Sequence, residues 1–536
     1  MVKYVFITGG VLSSVGKGIM TSSIGKMLQV RGCRVSTVKI DPYVNVDAGT
    51  MNPYMHGEVF VTDDGGETDL DLGHYERFLD INLPKFNNIT TGQVYASVIE
   101  KERKGEYLGQ CVQIIPHVTD EVKRRIRTAA KMAGCDVLLV EIGGTVGDIE
   151  GLPFLEAARQ LKLEEAPGDA LFVHVALVPI LNATKEQKSK PCQHSVQEMR
   201  RIGIQPDIIV ARCRYPLEED VKRKISLFGS VPIEAVFTSY DAENIYQVPQ
   251  NLDMQGMGDY VSKRLGICSE KADWAGWKGI VEKFTGPRRV VRIAMCGKYT
   301  KLEDSYVSIT EALHHAAAQV GVKTELDWIE ATRFERDPSE VKVLDDYDGI
   351  MVLPGFGARG TEGKIMAINY ARTKNRPFLG ICFGFQLAVV EFARNVLGLT
   401  GANTTEVDPS TQHPVIDLLP EQKSIGMMGG TMRLGGYKVI LKDGSLANKL
   451  YGVKEVIERH RHRYEVNPKY WESFQKAGLV FSGHSEDMRR VEFLELPSHP
   501  FFLGTQSHPE FRSRPGNPSP PYYGFIEASA KVQKRN

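Results

Sequence analysis

The chain predicts an α/β protein of two doubly wound domains, each a sheet covered by helices on both faces. Three observations carry that reading. The 536 residues exceed what one hydrophobic core organises, since cores stop growing near roughly 250–300 residues. Two separate series of short apolar runs, rich in β-branched residues and alternating with amphipathic stretches, have the pattern of strands buried on both sides in parallel sheets. Between the series, from about Ile267 to Arg289, the character shifts to a polar, tryptophan-bearing stretch ending in Thr285-Gly286-Pro287-Arg288-Arg289. The expected division is residues 1–266, a connection over 267–289, and residues 290–536.

In the first series the strand-like runs are Tyr4–Thr8, Val35–Ile40, Val137–Ile142, Leu171–Val178, Ile208–Ala211 and Ala235–Thr238. Several end in a polar residue or glycine, at the edge where open α/β sheets bind ligands. The second series runs through strands Val290–Cys296, Gly349–Leu353 and Pro377–Ile381, helix Phe385–Val396, strand Phe501–Gln506 and a closing helix near Tyr523–Gln533. Val407–Gly426 is irregular and contains proline, which predicts a mobile insertion.

Lys+Arg and Asp+Glu both total 66, leaving no global field to draw in nucleic acid or an anionic membrane. No run reaches the roughly 18 apolar residues of a membrane span, and Met1–Gly10 reads as a strand entering a glycine turn rather than a signal peptide. The eight cysteines are dispersed without a CxxC pair, which predicts reduced thiols in a soluble, cytoplasmic protein.

Strand Tyr4–Thr8 leads into Gly9-Gly10-Val11-Leu12-Ser13-Ser14-Val15-Gly16-Lys17-Gly18-Ile19, with a helical pattern to about Val30. Such a turn aims backbone N–H groups at phosphate oxygens, the helix start adds partial positive charge, and Lys17 supplies a compact cation. The run departs from the usual phosphate-loop pattern: five residues separate Gly10 from Gly16, and Gly18 stands where Ser/Thr normally holds Mg²⁺. Metal ligands must then come from elsewhere. In Thr62–His74 the acids Glu67, Asp69 and Asp71 would share a face if extended, although a solvated acidic loop is the plainer reading of that run. Glu141, ending strand Val137–Ile142, suits either a Mg²⁺ ligand or a paired carboxylate.

Pro377-Phe378-Leu379-Gly380-Ile381-Cys382-Phe383-Gly384-Phe385-Gln386 places a cysteine on a glycine-flanked turn between strand and helix. This is nucleophile-elbow chemistry: a thiol at a helix N-terminus gains thiolate character, and the next backbone N–H can serve an oxyanion hole. The turn Leu353–Gly357 offers a second donor. Downstream, His508 and Glu510 lie two apart, so an extended backbone would point both the same way, with His508 as acid–base and Glu510 orienting it. A buried structural thiol is the alternative for Cys382 taken alone. Arg459-His460-Arg461-His462-Arg463-Tyr464 reads as a partly solvated strand with arginines and histidines on opposite faces, and one arginine could clamp a substrate carboxylate.

Gly380-Ile-Cys-Phe-Gly-Phe-Gln386 with the distant His508-Pro-Glu510 resembles the class I glutamine amidotransferases. The phosphate loop resembles that of the CTP synthases. So do the strings Lys39–Met51, His56–Val61, Glu67–Phe78 and Glu141–Glu150, and the likeness runs from about residue 3 to 533. It implies a dethiobiotin-synthetase-like phosphate-loop synthase domain followed by a class I glutaminase domain. The implied reaction is ATP-driven amination of UTP to CTP through a 4-phosphorylated UTP, with ammonia from glutamine. It further implies that Ser14, Val15, Gly16, Lys17, Gly18 and Ile19 hold ATP phosphates, that Asp71 and Glu141 hold Mg²⁺, and that Tyr240, Asp241 and Ala242 lie near the adenine. For UTP, or CTP as feedback inhibitor, the implied residues are Ser13, Asp148, Ile149, Glu150, Lys188, Ser189, Lys190, Pro191, Cys192, Gln193 and Lys224. For glutamine they are Gly355, Phe383, Gly384, Phe385, Gln386, Glu406 and Arg463. A homotetramer activated by GTP is implied as well. One departure stands out: Pro354-Gly355-Phe356-Gly357 has one glycine fewer than the family pattern, leaving open which N–H completes the oxyanion hole. Two alternatives are an amidating enzyme acting on a carboxylate, as in cobyrinic-acid-type diamide synthases, and a nucleotide-binding assembly protein with an inactive glutaminase half. The Asp148–Glu150 and Lys188–Gln193 strings weigh against the first, and the intact Cys382, His508 and Glu510 against the second.

Overall fold

The computed structural model describes residues 2–52, 56–181, 185–268, 270–286, 288–298, 303–419 and 432–532. Contacts divide the chain into two compact units, residues 1–50 with 68–282 and residues 51–67 with 283–536. A short segment from early in the sequence therefore folds with the C-terminal unit.

The first unit is built on a seven-stranded sheet. Its strands are β1 (Lys3–Gly10), β2 (Val35–Asp41), β3 (Asn88–Thr90), β4 (Val137–Ile142), β5 (Ala170–Leu177), β6 (Ile208–Cys213) and β7 (Val236–Tyr240). They lie in the order β3-β2-β4-β1-β5-β6-β7, every pair parallel. All six predicted strands are present. The seventh, β3, spans only three residues, too short for a periodic signal. Alternate residues feed two cores: Tyr4, Phe6, Leu138 and Val140 pack on one face, Val5, Ile7, Val137 and Leu139 on the other. That two-sided burial explains why these strands are apolar throughout rather than alternating. The helices used below are α1 (Lys17–Gln29), α2 (Asp71–Leu79), α3 (Lys190–Arg201) and α4 (Glu219–Gly229).

The second unit carries a nine-stranded mixed sheet. Its strands are β8 (Val290–Gly297), β9 (Lys323–Glu330), β10 (Gly349–Val352), β11 (Phe378–Ile381), β12 (Arg433–Leu441), β13 (Glu455–His462), β14 (Val480–Ser485), β15 (Val491–Glu495) and β16 (Phe502–Thr505). The order β9-β8-β10-β11-β16 is parallel. From β16 the sheet continues antiparallel through β15, β14 and β12 to β13 at its edge. The four predicted strands are the central ones of the parallel part. Helix α5 (Phe383–Asn395) follows β11, and a last helix spans Pro520–Ala530. Of the expected insertion Val407–Gly426, residues 420–426 lie outside the described residues, and Pro414–Asp417 forms a short strand.

The expectation of reduced thiols throughout fails at one pair: Cys33 and Cys268 form a disulfide with Cα atoms 5.7 Å apart. Spacing gave no hint, because the two stand 235 residues apart and meet only once α1 and the segment after Leu265 pack together. Closing so long a loop removes unfolded-state entropy worth about 5 kcal/mol in the chain-entropy model. Reductant should therefore lower the melting temperature of the wild type but not of Cys33→Ser, and identical melting of the wild type with and without reductant would contradict this bridge.

Candidate active site

At the carboxyl end of β1 the loop turns through Val11 and Ser14 with φ of 81° and 58°, then through Gly16 at 94°, where the absence of a Cβ permits the left-handed turn into α1. Lys17 folds back over this loop: a Cβ on Gly9 would lie 2.7 Å from its side chain. Its ammonium donates to the Gly144 carbonyl at 2.8 Å. Burial lowers the Lys17 pKa, and Glu141 opposes that.

Asp71 presses on the same loop, since a Cβ on Gly18 would come within 2.0 Å of its carboxylate. Between Asp71 and Glu141 sits Lys39, which bonds Asp71 and lies 2.9 Å from Glu141 and 3.6 Å from Asp69. Glu141 also receives the Thr21 hydroxyl at 3.0 Å and the Tyr75 hydroxyl. Burial alone would discharge Lys39, but the three carboxylates hold its pKa well above the usual value. Asp71, buried but paired with Lys39, is held below the usual carboxylate range, while burial and the Asp71 charge push Glu141 up. The run read as a solvated acidic loop is only partly solvated: Asp64 is exposed, but Asp69 is buried and Asp63, Glu67 and Asp71 are partly covered by ion pairing. Sequence reasoning assigned Lys39 no role, although it opens one of the quoted family strings. Two carboxylates beside a phosphate loop fit Mg²⁺, which favours one or two such ligands with phosphate and water completing its shell. The ammonium of Lys39 marks where positive charge is wanted.

Several of the residues expected to bind nucleotide follow the carboxyl ends of strands of this sheet. Ser14, Val15 and Asp241 line one cavity of about 460 Å³, and Tyr240, Asp241 and Ala242 line another of about 670 Å³. Asp148, Ile149 and Glu150 follow β4, with the Asp148 carboxylate accepting from Thr145 N–H at 3.0 Å and Ile149 exposed. Lys188 is ion-paired with Glu186, Ser189 stands just before α3 without a side-chain capping bond, and Lys190 and Pro191 begin the helix. Gln193 donates to the Ser189 hydroxyl at 3.0 Å. Cys192 is wholly buried in the core, which pushes its thiol pKa up to about 12. Lys224 lies on the exposed face of α4, and Ser13 is exposed in the loop.

In the second unit Cys382 joins β11 to α5 at φ 51° and ψ −100°. Holding a non-glycine residue there costs about 1–3 kcal/mol. The surroundings dictate it: Cys382 N–H donates to Thr505 O at 2.7 Å, and a Cβ on Gly384 would sit 2.3 Å from the Val352 carbonyl. The sulfur faces the Arg461 carbonyl at 3.7 Å and the Gln506 amide at 3.6 Å. His508 Nδ1 bonds Glu510 Oε1 at 2.7 Å. The backbone here is not extended as expected: His508 caps a tight turn, Pro509–Arg512, and the turn brings Glu510 back to the ring. Burial disfavours the imidazolium, yet Glu510 and Cys382 together push the His508 pKa up to about 10. The Tyr522 hydroxyl donates to the second Glu510 oxygen at 3.1 Å, a partner no sequence signal revealed.

The turn after β10 is fixed by two buried lysines that sequence reasoning also missed. Lys364 donates to Leu353 O at 2.8 Å, and Lys298 bonds Phe356 O. Burial pushes the Lys364 pKa down to about 7. Gly357 N–H is committed to Glu406 Oε1 at 2.7 Å, so Gly355 and Phe356 remain as second-donor candidates beside Phe383. Burial raises the Glu406 pKa against the pull of Gly357 N–H, Lys298 and Arg463. Gln386 donates to Tyr464 O at 2.9 Å, whereas Phe385 packs into the core. Of the run read as a partly solvated strand, Arg459, His460 and His462 are buried, Arg461, Arg463 and Tyr464 are partly exposed, and the strand ends at His462. Its faces separate as expected, His460 on Glu492 at 2.7 Å and His462 on Glu465 at 2.9 Å, while Arg459 and Arg461 pair with Asp63 and Glu67. Ion pairing explains how so polar a strand is partly buried.

A family model described as CTP synthase N-terminus matches residues 3–267, and one described as glutamine amidotransferase class-I matches residues 301–528. A CTP synthase of Sulfurisphaera tokodaii is 60% identical over 532 residues, covering 99% of this chain and 100% of its own length. The chain belongs to the CTP synthase family. A second relative, the CTP synthase of Saccharolobus solfataricus, is 60% identical over 533 residues, 99% of each chain. Among solved structures, the Trypanosoma brucei CTPS glutaminase domain with bound acivicin is 38% identical, with a TM-score of 0.43, covering 45% of this chain and 95% of that one. Among the described residues no helix is long and apolar enough to cross a membrane.

The elbow generates a test. Gly384→Ala must push its new methyl into the Val352 carbonyl, so glutamine hydrolysis should fall by on the order of 10²-fold or more as the turn shifts. Wild-type hydrolysis in a folded Gly384→Ala protein would contradict the assigned geometry.

Proposed function

We propose that this chain converts UTP to CTP with ATP and glutamine, releasing ADP, phosphate and glutamate, and that the two sites divide the work. The observation that carries the reading is a Cys382–His508–Glu510 constellation in a chain that also carries the loop-folded Lys17 beside buried Asp71 and Glu141.

In the glutaminase half the Cys382 sulfur attacks the amide carbon of glutamine. The oxyanion is met by Phe383 N–H, at the start of α5 where helical N–H groups lack internal acceptors, and by Gly355 or Phe356 N–H. His508, held charged by Glu510, delivers a proton to the departing ammonia as the C–N bond breaks. Water then attacks the thioester, His508 takes its proton, and glutamate leaves. Glu406 and Arg463 are suited to the charged groups of the amino acid, Arg463 to the α-carboxylate.

In the synthase half Ser14 to Ile19 cradle the ATP phosphates through backbone N–H groups, with Lys17 on the terminal ones. Tyr240, Asp241 and Ala242 face the adenine, and Ser13, Asp148–Glu150, Lys188–Gln193 and Lys224 serve UTP or inhibitory CTP. Asp71 and Glu141 would hold Mg²⁺, which when bound neutralises developing phosphate charge. The uracil 4-oxygen is a poor leaving group, so transfer of a phosphoryl group to it precedes its displacement by ammonia. Activation by GTP, a homotetramer and a cytoplasmic location complete the proposal by analogy with the family.

Cys382→Ala should cut glutamine-driven CTP formation by at least on the order of 10³-fold while ammonium-driven formation persists. Equal loss with both donors would contradict the division of labour. Lys17→Ala should eliminate CTP formation with either donor, and retained ammonium-driven turnover would remove Lys17 from the ATP site.

A further inference from the structure

The segment 51–67, which folds with the C-terminal unit, carries strand Phe60–Val61 of a two-stranded hairpin and Glu67, the first residue of its second strand Glu67–Thr68. Two of its carboxylates each hold an arginine of β13. Asp63 Oδ1 accepts from Arg459 Nε at 2.6 Å, and Glu67 Oε1 accepts from Arg461 Nε at 2.7 Å. The main-chain carbonyls of these same arginines receive the catalytic groups: His508 N–H donates to Arg459 O at 2.7 Å, and the Cys382 thiol to Arg461 O at 3.7 Å. Residues two apart on a strand face the same way, so one pair of acids grips both arginines at once.

A second arm of contacts reaches the same histidine. Asp63 Oδ2 accepts from Arg512 Nη2 at 2.9 Å, and Arg512 ends the turn that carries Glu510. Phe60 packs edge-on against Phe511 at 5.1 Å between ring centres, and Phe511 stacks on the His508 ring at 5.3 Å. The strand being held needs holding. Among the described residues β13 is the last strand of its sheet, with β12 its one ladder neighbour, and an edge strand has no outer ladder to fix its height. Arg459 is completely buried, and Asp63 contributes to keeping its charge compensated.

We propose that Asp63 and Glu67 are positioning residues for glutamine hydrolysis, setting β13 and the Pro509–Arg512 turn so that His508 and Cys382 meet. This rests on the glutaminase reading above. Neither acid touches substrate in this account; each acts through an arginine and that arginine's carbonyl. Displacing His508 weakens the imidazolium beside the sulfur, so the thiol should become harder to ionise.

The test compares wild type with Asp63→Asn, Asp63→Glu and Glu67→Gln, all as full chains. Glutamine hydrolysis is measured with alkylation of Cys382 by iodoacetamide across pH. Asp63→Asn should lower kcat by on the order of tenfold to a hundredfold with KM for glutamine changed far less, and should move the alkylation profile to higher pH. Asp63→Glu should restore part of both. Glu67→Gln, at the pair whose arginine is partly exposed, should shift the alkylation profile in the same direction and keeps the proposal testable if Asp63→Asn does not fold. An unchanged alkylation profile in folded variants, or a fall in ammonium-driven synthesis equal to the fall in hydrolysis, would overturn it. Failure of the wild type itself to hydrolyse glutamine would overturn the glutaminase reading instead.

Discussion

The glutaminase chemistry depends on one backbone constraint: Cys382 held at positive φ where β11 gives way to α5. That conformation is unfavourable for a residue with a side chain, and it survives because its surroundings leave no alternative. Gly384 clears the Val352 carbonyl, Thr505 O takes the Cys382 N–H, and the Arg461 carbonyl limits the sulfur. The parallel part of the sheet sets the first two and β13 the third. A rigid scaffold thus presents a reactive atom on a strained turn, and the strain is offset by packing elsewhere in the same unit.

Charge burial shapes both units. Lys39 amid Asp69, Asp71 and Glu141, and Arg459 and Arg461 against Asp63 and Glu67, are groups taken out of water and kept paired. Such pairs gain little net stability, because desolvation consumes most of the Coulomb attraction. What they provide is definite position. In the synthase unit this holds acids against a phosphate loop, and in the glutaminase unit it keeps an edge strand at a fixed height.

Much of this was legible in the sequence. Parallel strands buried on both faces announce themselves as short apolar runs, so all six long strands of the first sheet and the central four of the parallel part of the second were readable. The antiparallel extension was not, since β13 is rich in Glu, Arg and His and β12 is interrupted by Gly435-Gly436. Ion pairs help to bury Arg433 of the one and His460 of the other. Cys382 was readable because elbow chemistry is local, and Glu510 because it lies two residues from His508. Lys364 and Tyr522 were not, since nothing local distinguishes a lysine that fixes a carbonyl or a tyrosine that steadies a carboxylate. The Cys33–Cys268 bridge and the placement of 51–67 share that cause: each is a contact between distant segments.

The central claim is that Cys382 attacks glutamine from this elbow, and trapping the covalent intermediate tests it most directly. Wild-type protein mixed with glutamine and quenched in acid during turnover should yield, on digestion and mass spectrometry, a glutamyl adduct on the peptide carrying Cys382. Turnover of glutamine with no adduct at Cys382 at any quench time, or with the adduct on another residue, would contradict the account.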